Sequence, residues 1–135
     1  MHKTIALLAS LLAAFAVQAH EAPVRKAMDE AVSVHSIATA ARLCNLITEA
    51  DLARAVSRMD RVHAVQLQEA HQETYLIVRG SDSFRNMVFA SALRRAQAGC
   101  GGELKAVWRD VESTLVAADL NQSAVATNML GNTVR

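Results

Sequence analysis

Two cysteines, Cys44 and Cys100, are the residues whose chemistry the sequence indicates most directly. Their spacing forms neither the C-x-x-C pair of a redox or zinc site nor the C-x-x-C-H run that attaches haem. An even number of cysteines in an oxidising compartment favours a disulfide instead. We therefore expect a structural Cys44–Cys100 bridge, with two free buried thiols as the alternative.

Histidines are the second group with metal-binding chemistry. His63 and His71 are predicted on one helix, where eight residues separate them by about 12 Å along the axis, so they cannot share an ion. His35 falls on the apolar side of another helix and is expected to be a core histidine that donates to a backbone carbonyl. His20 is a weak candidate for copper, because removal of a leader would place it beside a free amino terminus. No nearby residue completes that site, so we predict no metal and no cofactor.

A stripe of arginines is the most directional surface feature. Arg54, Arg58 and Arg61 are spaced i, i+4 and i+7, so they lie on one side of a helix. Two interpretations remain open: ion pairing with acids of the same chain, or docking of an acidic partner, because guanidinium groups grip carboxylates at two points. The acids that could supply the ion pairs are Glu49, Asp51 and Asp60.

Motifs for catalysis and for nucleic-acid binding are missing from the sequence. It contains no G-x-S-x-G or S-x-x-K nucleophile motif. The Gly99–Gly102 segment lacks the lysine of a phosphate-binding loop. A net charge of +1 argues against a basic surface for nucleic acid. We predict a protein without enzymatic activity and without a nucleic-acid partner.

The amino-terminal segment has the layout of a secretory signal peptide. Lys3 precedes an apolar run, Ile5–Val17, and Val17 and Ala19 occupy the positions that a signal peptidase reads. The run is shorter than the roughly 20 residues that span a bilayer, although an uncleaved anchor is the alternative. Cleavage before His20 would leave 13 basic and 13 acidic residues. We expect a periplasmic or secreted protein without stable membrane insertion.

The elements that position these residues are helical. One proline, five glycines and 52% hydrophobic residues disfavour both disorder and a turn-rich β fold. Thr-Tyr-Leu-Ile-Val at 74–78 also suits a strand by propensity, but no partner strand is evident. We divide the chain into a leader (1–19), a helical domain (20–120) and a polar tail or frayed helix (121–135). The helices are expected at about 22–43, 48–79, 82–98 and 103–120.

The expected fold is a small antiparallel four-helix bundle stapled by the disulfide. In such a bundle the first and third connections lie at the same end, which brings Cys44 and Cys100 together. Immunity proteins against cell-wall-degrading toxins and acid-stress chaperones belong to the same broad class, but no motif here matches either. We predict a periplasmic protein-binding module, inhibitory or chaperone-like. A small-ligand or metal carrier is the alternative, and a homodimer is left open.

Overall fold

The computed structural model describes the backbone of residues 2–131 and the side chains of residues 22–131. Within this range the chain is helical apart from short connections, and it contains no strand. The all-α prediction is thus confirmed for the described residues. Five helices follow one another: α1 (His2–Leu43), α2 (Glu49–Val65), α3 (Glu69–Arg79), α4 (Asp82–Ala98) and α5 (Gly102–Gly131).

The start of α2 is fixed by a capping box. The hydroxyl of Thr48 accepts a hydrogen bond from the backbone N–H of Asp51 at 3.1 Å. In return, the carboxylate of Asp51 accepts from the backbone N–H of Thr48 at 2.9 Å. Two N–H groups that would otherwise lack helical partners are thereby satisfied. This local signal was sufficient to predict where α2 begins.

The predicted second helix, 48–79, is two helices in the structure. The chain turns at Gln66–Gln68, where Gln68 is extended (φ −60°, ψ 148°). The side chain of Gln72 donates to the carbonyl of Leu67 at 2.9 Å, which satisfies a group freed by the turn. The turn buries Leu67 and Tyr75 in one cluster. Four helices were expected and five are observed, and residues 74–78 are helical.

The last two helices meet at a glycine connection. Ser81 caps α4 by accepting from the backbone N–H of Phe84. Gly99 ends α4 with φ +145°, a conformation that side chains disfavour. α5 continues past Leu120 to Gly131, so the predicted polar tail is helical up to that residue. Residues 132–135 lie outside the described part of the chain.

α1 contributes residues to two apolar clusters. The α2–α5 core joins α1 to α2 and α5, whereas the α3–α4 core joins it to α3 and α4. α4 packs mainly on α1, whereas α5 packs on α1 and α2. The α2–α5 core contains Ile37, Ala38, Ala41, Ala55, Met59, Val62, Trp108 and Leu115. The α3–α4 core contains Val24, Met28, Ala31, Leu67, Tyr75, Phe84 and Val88.

The disulfide joins Cys44 to Cys100, as predicted. Cys44 follows the end of α1, and Cys100 lies in the connection between α4 and α5. Their Cα atoms are 5.4 Å apart, within the ordinary range for a bridge. A small cluster beneath the bridge, formed by Ala40, Ala92 and Leu104, brings α1, α4 and α5 together. The disulfide therefore ties both cores together at one end of the molecule.

The amino-terminal predictions fall largely on side chains that are not described. The side chains of the predicted leader, 1–19, and of His20 lie outside the described set. The backbone of α1 runs through this segment, so Pro23 lies inside the helix rather than in its first turn. In the part of the chain that the structure describes, no helix combines the length and hydropathy needed to cross a membrane.

Candidate functional site

The arginine stripe of α2 is ion-paired within the chain. Arg58 Nε and Arg61 Nη2 lie 3.4 and 2.9 Å from Asp119 Oδ2 on α5. Arg54 pairs with Asp51, three residues earlier on the same helix. Hydrogen bonds from Arg61, with the charges of Arg61 and Arg58, lower the pKa of Asp119. The stripe thus fastens α5 to α2, and its docking role stays a prediction.

Asp119 was missed in the sequence, and only Asp51 of the three expected acids pairs with the stripe. Asp119 lies just after Leu115, the last fully buried residue of α5. An acid one turn beyond the core stripe of a helix could have been recognised as a partner. The obstacle was that the pairing requires α2 and α5 to lie side by side, which helical periodicity does not reveal.

Asp60, the third expected acid, binds Arg79 of α3 instead. Arg79 Nε and Nη2 donate to its two carboxylate oxygens at 2.8 and 3.1 Å. This two-point geometry is the stronger form of ion pair. The guanidinium carbon of Arg79 also lies 5.1 Å from the centre of the Phe84 ring of α4, a cation–π arrangement. One arginine therefore connects α2, α3 and α4.

His35 lies beside this pair, buried on α1. Its ring meets Phe84 edge-on, with ring centres 5.3 Å apart. Its Nε2 atom lies 3.8 Å from Asp60 Oδ1 and has no hydrogen-bond partner, so this nitrogen does not donate to a backbone carbonyl. Burial, reinforced by the charge of Arg79, lowers the pKa of His35 to about 4. The imidazole is therefore neutral at pH 7.

His63 and Tyr75 extend the group of buried polar side chains. Their ring centres are 6.5 Å apart across the α2–α3 boundary. His63 Nδ1 and Tyr75 Oη are both buried without a hydrogen-bond partner. Burial lowers the pKa of His63 and raises that of Tyr75 to about 12. We call His35, Asp60, His63, Tyr75 and Arg79 the polar cluster.

The histidines do not assemble into a metal centre. The turn at Gln66–Gln68 places His63 on α2 and His71 on α3, so the prediction that they share one helix is wrong. Among the described residues, no three histidine, cysteine or carboxylate side chains are grouped closely enough to hold a metal ion. The copper hypothesis for His20 concerns a side chain outside the described set and stays untested.

The outer face of α4 is apolar and basic. Only Phe84, Val88 and Ala92 of this helix are buried, because a single stripe fits against α1. Three other large apolar side chains of this helix are exposed. These are Met87, Phe89 and Leu93, with exposed fractions of 48%, 53% and 40%. We define the outer face of α4 as these three residues with the exposed Arg85 and Arg94.

A groove of about 310 Å³ lies between α1, α2 and α5. Apolar side chains form most of it, and His63 of the polar cluster reaches its wall. Its volume falls at the lower end of the range for small-ligand sites. The lining residues include Val34, Val62, His63, Val111, Leu115 and Ala118.

Comparison with known proteins returned no match to any family model, any curated protein or any solved structure.

Proposed function

We propose that this chain is an exported protein without enzymatic activity, and that it binds another exported protein through the outer face of α4. The observation that carries the proposal is the exposure of Phe89 and Leu93 on a helix whose opposite side is packed on α1. They lie four residues apart, on one side of the helix, and so form a continuous ridge. Large aromatic and aliphatic side chains held at the surface by a rigid element are typical of protein interfaces.

The charges of α4 indicate the chemistry of the partner. Asp82 is the only acid of the helix, and it pairs with Arg85. Arg94 is exposed, whereas Arg95 turns inward and donates to Ser36 of α1. The partner is therefore an apolar surface with an acidic rim. A second copy is a poor occupant, because its α4 offers no unpaired acid to meet the exposed Arg94.

The location of the protein is proposed on the leader and on the disulfide. Cleavage after Ala19 would start the mature helix at His20 and return Pro23 to its opening turn, where the missing N–H is harmless. The bridge between Cys44 and Cys100 is suited to an oxidising compartment. In the mature chain, α1, α2, α4 and α5 would form the predicted antiparallel bundle, with α3 as an added short helix.

The test uses substitutions that leave the core intact. Phe89→Asp with Leu93→Asp places charge on the outer face of α4, and Leu120→Asp is the matched control, because Leu120 is 66% exposed on α5. A partner captured from periplasmic extract is purified and titrated with each variant. We expect binding at least 10-fold weaker with the α4 variant and unchanged with the control. Equal affinity for both variants would overturn the proposal.

The groove between α1, α2 and α5 supports a second candidate, a carrier of small apolar ligands. Its apolar wall and the imidazole of His63 suit a ligand with one polar group. Native mass spectrometry of the purified protein tests this candidate. An added mass that Ala118→Trp abolishes would support it, because the larger side chain fills the groove. If the protein keeps the mass of the bare chain after exposure to apolar ligands, the carrier candidate is excluded. If it keeps that mass after copper loading, copper binding at His20 is excluded.

A further inference from the structure

Two buried histidines lie where α3 and α4 rest on the remainder of the molecule. His35 of α1 packs against Phe84 of α4, and His63 of α2 packs against Tyr75 of α3. His35 Nε2, His63 Nδ1 and Tyr75 Oη are buried without hydrogen-bond partners. A buried imidazole without a partner is tolerated when neutral and is costly when charged. Both boundaries are therefore sensitive to protonation.

Charged groups around His35 do not compensate for its protonation. Asp60 of α2 is near, but its carboxylate already binds Arg79 of α3 at two points. The charges of Arg79 and of protonated His63 both oppose a charge on His35. From α4 the group facing His35 is the uncharged ring of Phe84. A protonated His35 would therefore be near one carboxylate, Asp60, which is already paired, and two cations, Arg79 and protonated His63.

No acid near His63 is close enough to form a direct ion pair with it. Glu30 of α1 and Asp60 of α2 favour its charged form, but burial outweighs them. From α3 the group facing it is the hydroxyl-bearing ring of Tyr75, with His71 also buried on that helix. From α5, Asp110 lines the same groove as His63. Neither histidine has a carboxylate within hydrogen-bonding distance.

We infer that protonation of His35 and His63 releases α3 and α4 from α1 and α2, while the disulfide end stays closed. This device rests on the proposed function, because the outer face of α4 is presented by a helix that acid would detach. Binding of the partner is then strong at neutral pH and lost in acid. The chain would act as a binding module that releases its partner on acidification.

The release is local because the two cores are separately anchored. His63 also lines the groove beside the α2–α5 core, but this core is held by the pairing of Arg58 and Arg61 with Asp119, which does not involve either histidine. The Cys44–Cys100 bridge keeps the carboxyl end of α4 beside the end of α1. The turn at 66–68 and the connection at 99–101 are the points about which α3 and α4 can swing. Local opening of this kind is a general property of small domains.

The direction of the effect follows from linkage. An opened state would expose His35 at its ordinary pKa of 6.5, against about 4 in the closed state. Protons therefore favour the opened state between those two pH values. From pH 7 to pH 4 this single group would raise the opened population about 100-fold, and His63 would add to the change in the same direction.

Hydrogen–deuterium exchange of the whole protein between pH 7.5 and pH 4 tests the inference without any partner. After correction for intrinsic exchange rates, peptides of α3 and α4 are expected to lose protection progressively below pH 6.5, by about 100-fold at pH 4. Peptides from 104–118 of α5 are expected to keep theirs. Uniform loss over all helices, or unchanged protection of α3 and α4, would overturn the inference.

A variant series separates the histidines from general acid sensitivity. His35→Gln with His63→Gln is expected to keep α3 and α4 protected at pH 4, because neither amide can be charged. Glu112→Gln, which removes an exposed acid of α5, is the matched control and should open like the unsubstituted protein. If the double variant opens at the same pH as the control, the inference is wrong. If the double variant does not fold, hydrogen exchange of the unsubstituted protein across the pH series still tests the inference. Failure of partner binding at pH 7.5 would count only against the proposed function.

Discussion

Arg79 and Asp60 form a two-point ion pair, with Nε and Nη2 of the arginine at 2.8 and 3.1 Å from the two carboxylate oxygens. The pair links α3 to α2, and the guanidinium lies over the ring of Phe84 on α4. It also sets the electrostatic surroundings of His35, whose Nε2 lies 3.8 Å from the same carboxylate. One interaction therefore determines both how α3 and α4 are held and how they respond to protons.

Substitution of Asp60 is expected to destabilise the protein. Asp60→Asn leaves the partly buried guanidinium of Arg79 without its anion, at a cost of about 1–3 kcal/mol. Urea unfolding at pH 7 measures the change in the free energy of unfolding. The control is Asp82→Asn, which removes an exposed i, i+3 pair with Arg85 and is expected to change stability by less than about 0.5 kcal/mol. Equal effects of both substitutions would contradict the role given to Asp60.

Two phenylalanines of α4 provide a matched pair for its packing. Phe84 is 2% exposed and Phe89 is 53% exposed. Phe84→Ala is expected to cost about 3–5 kcal/mol, because it opens a cavity in the α3–α4 core and removes the ring beneath Arg79. Phe89→Ala is expected to cost less than about 0.5 kcal/mol. Similar losses in a urea titration would show that the buried side of α4 has been assigned wrongly.

Loss of the disulfide is expected to lower stability substantially. The bridge spans 56 residues of sequence, and a loop of that size corresponds to about 4 kcal/mol in the chain-entropy description. Cys44→Ser with Cys100→Ser should therefore melt far below the oxidised protein in calorimetry. The unsubstituted protein under reducing conditions should melt close to the double variant. A melting temperature that is insensitive to reductant would contradict the structural role of the bridge.

Asp119 is expected to hold α5 on α2. Asp119→Asn removes the acceptor shared by Arg58 and Arg61, so hydrogen exchange in α5 around this residue should become faster. The effect should be smaller at high salt, where exposed ion pairs are screened. Asp110→Asn is the control, because no ion pair joins Asp110 to another described residue. If exchange in α5 is unchanged by Asp119→Asn, the stripe is free to serve as the docking surface predicted from sequence.

Acid is expected to weaken the fold through His35. Its folded pKa of about 4 lies below the unfolded value of 6.5, so the unfolded state binds more protons between these values. The free energy of unfolding therefore falls as pH drops from 6.5 towards 4, by up to about 3 kcal/mol. His35→Gln should flatten this part of the profile, as measured by urea unfolding at several pH values. An unchanged profile would exclude His35 as the responsible group.

Local signals in the sequence were sufficient for much of the helical layout. Thr48 with Asp51, and Ser81 before α4, are caps whose partners lie three residues away, so spacing alone reveals them. Gly99 marks the end of α4 for a similar reason. The cysteine pair was also predictable, because only one pairing exists and the predicted connections bring both residues to one end.

Other features depend on contacts that periodicity does not encode. The turn at Gln66–Gln68 contains neither glycine nor proline, and it is stabilised by burial of Leu67 in a distant cluster. Which apolar side chains of α4 face inward depends on its packing against α1, so the sequence did not reveal that Phe84 is buried and Phe89 exposed. The polar cluster joins residues from three helices, and a single sequence offers no signal that Asp60 and Arg79 meet.

Binding through the outer face of α4 is measured as the affinity of the purified partner at pH 7.5. Isothermal titration is performed with the unsubstituted protein, with Phe89→Asp and Leu93→Asp combined, and with Leu120→Asp. We expect a dissociation constant at least 10-fold larger for the α4 variant and no change for Leu120→Asp. A dissociation constant that is the same for all three proteins would contradict binding through this face.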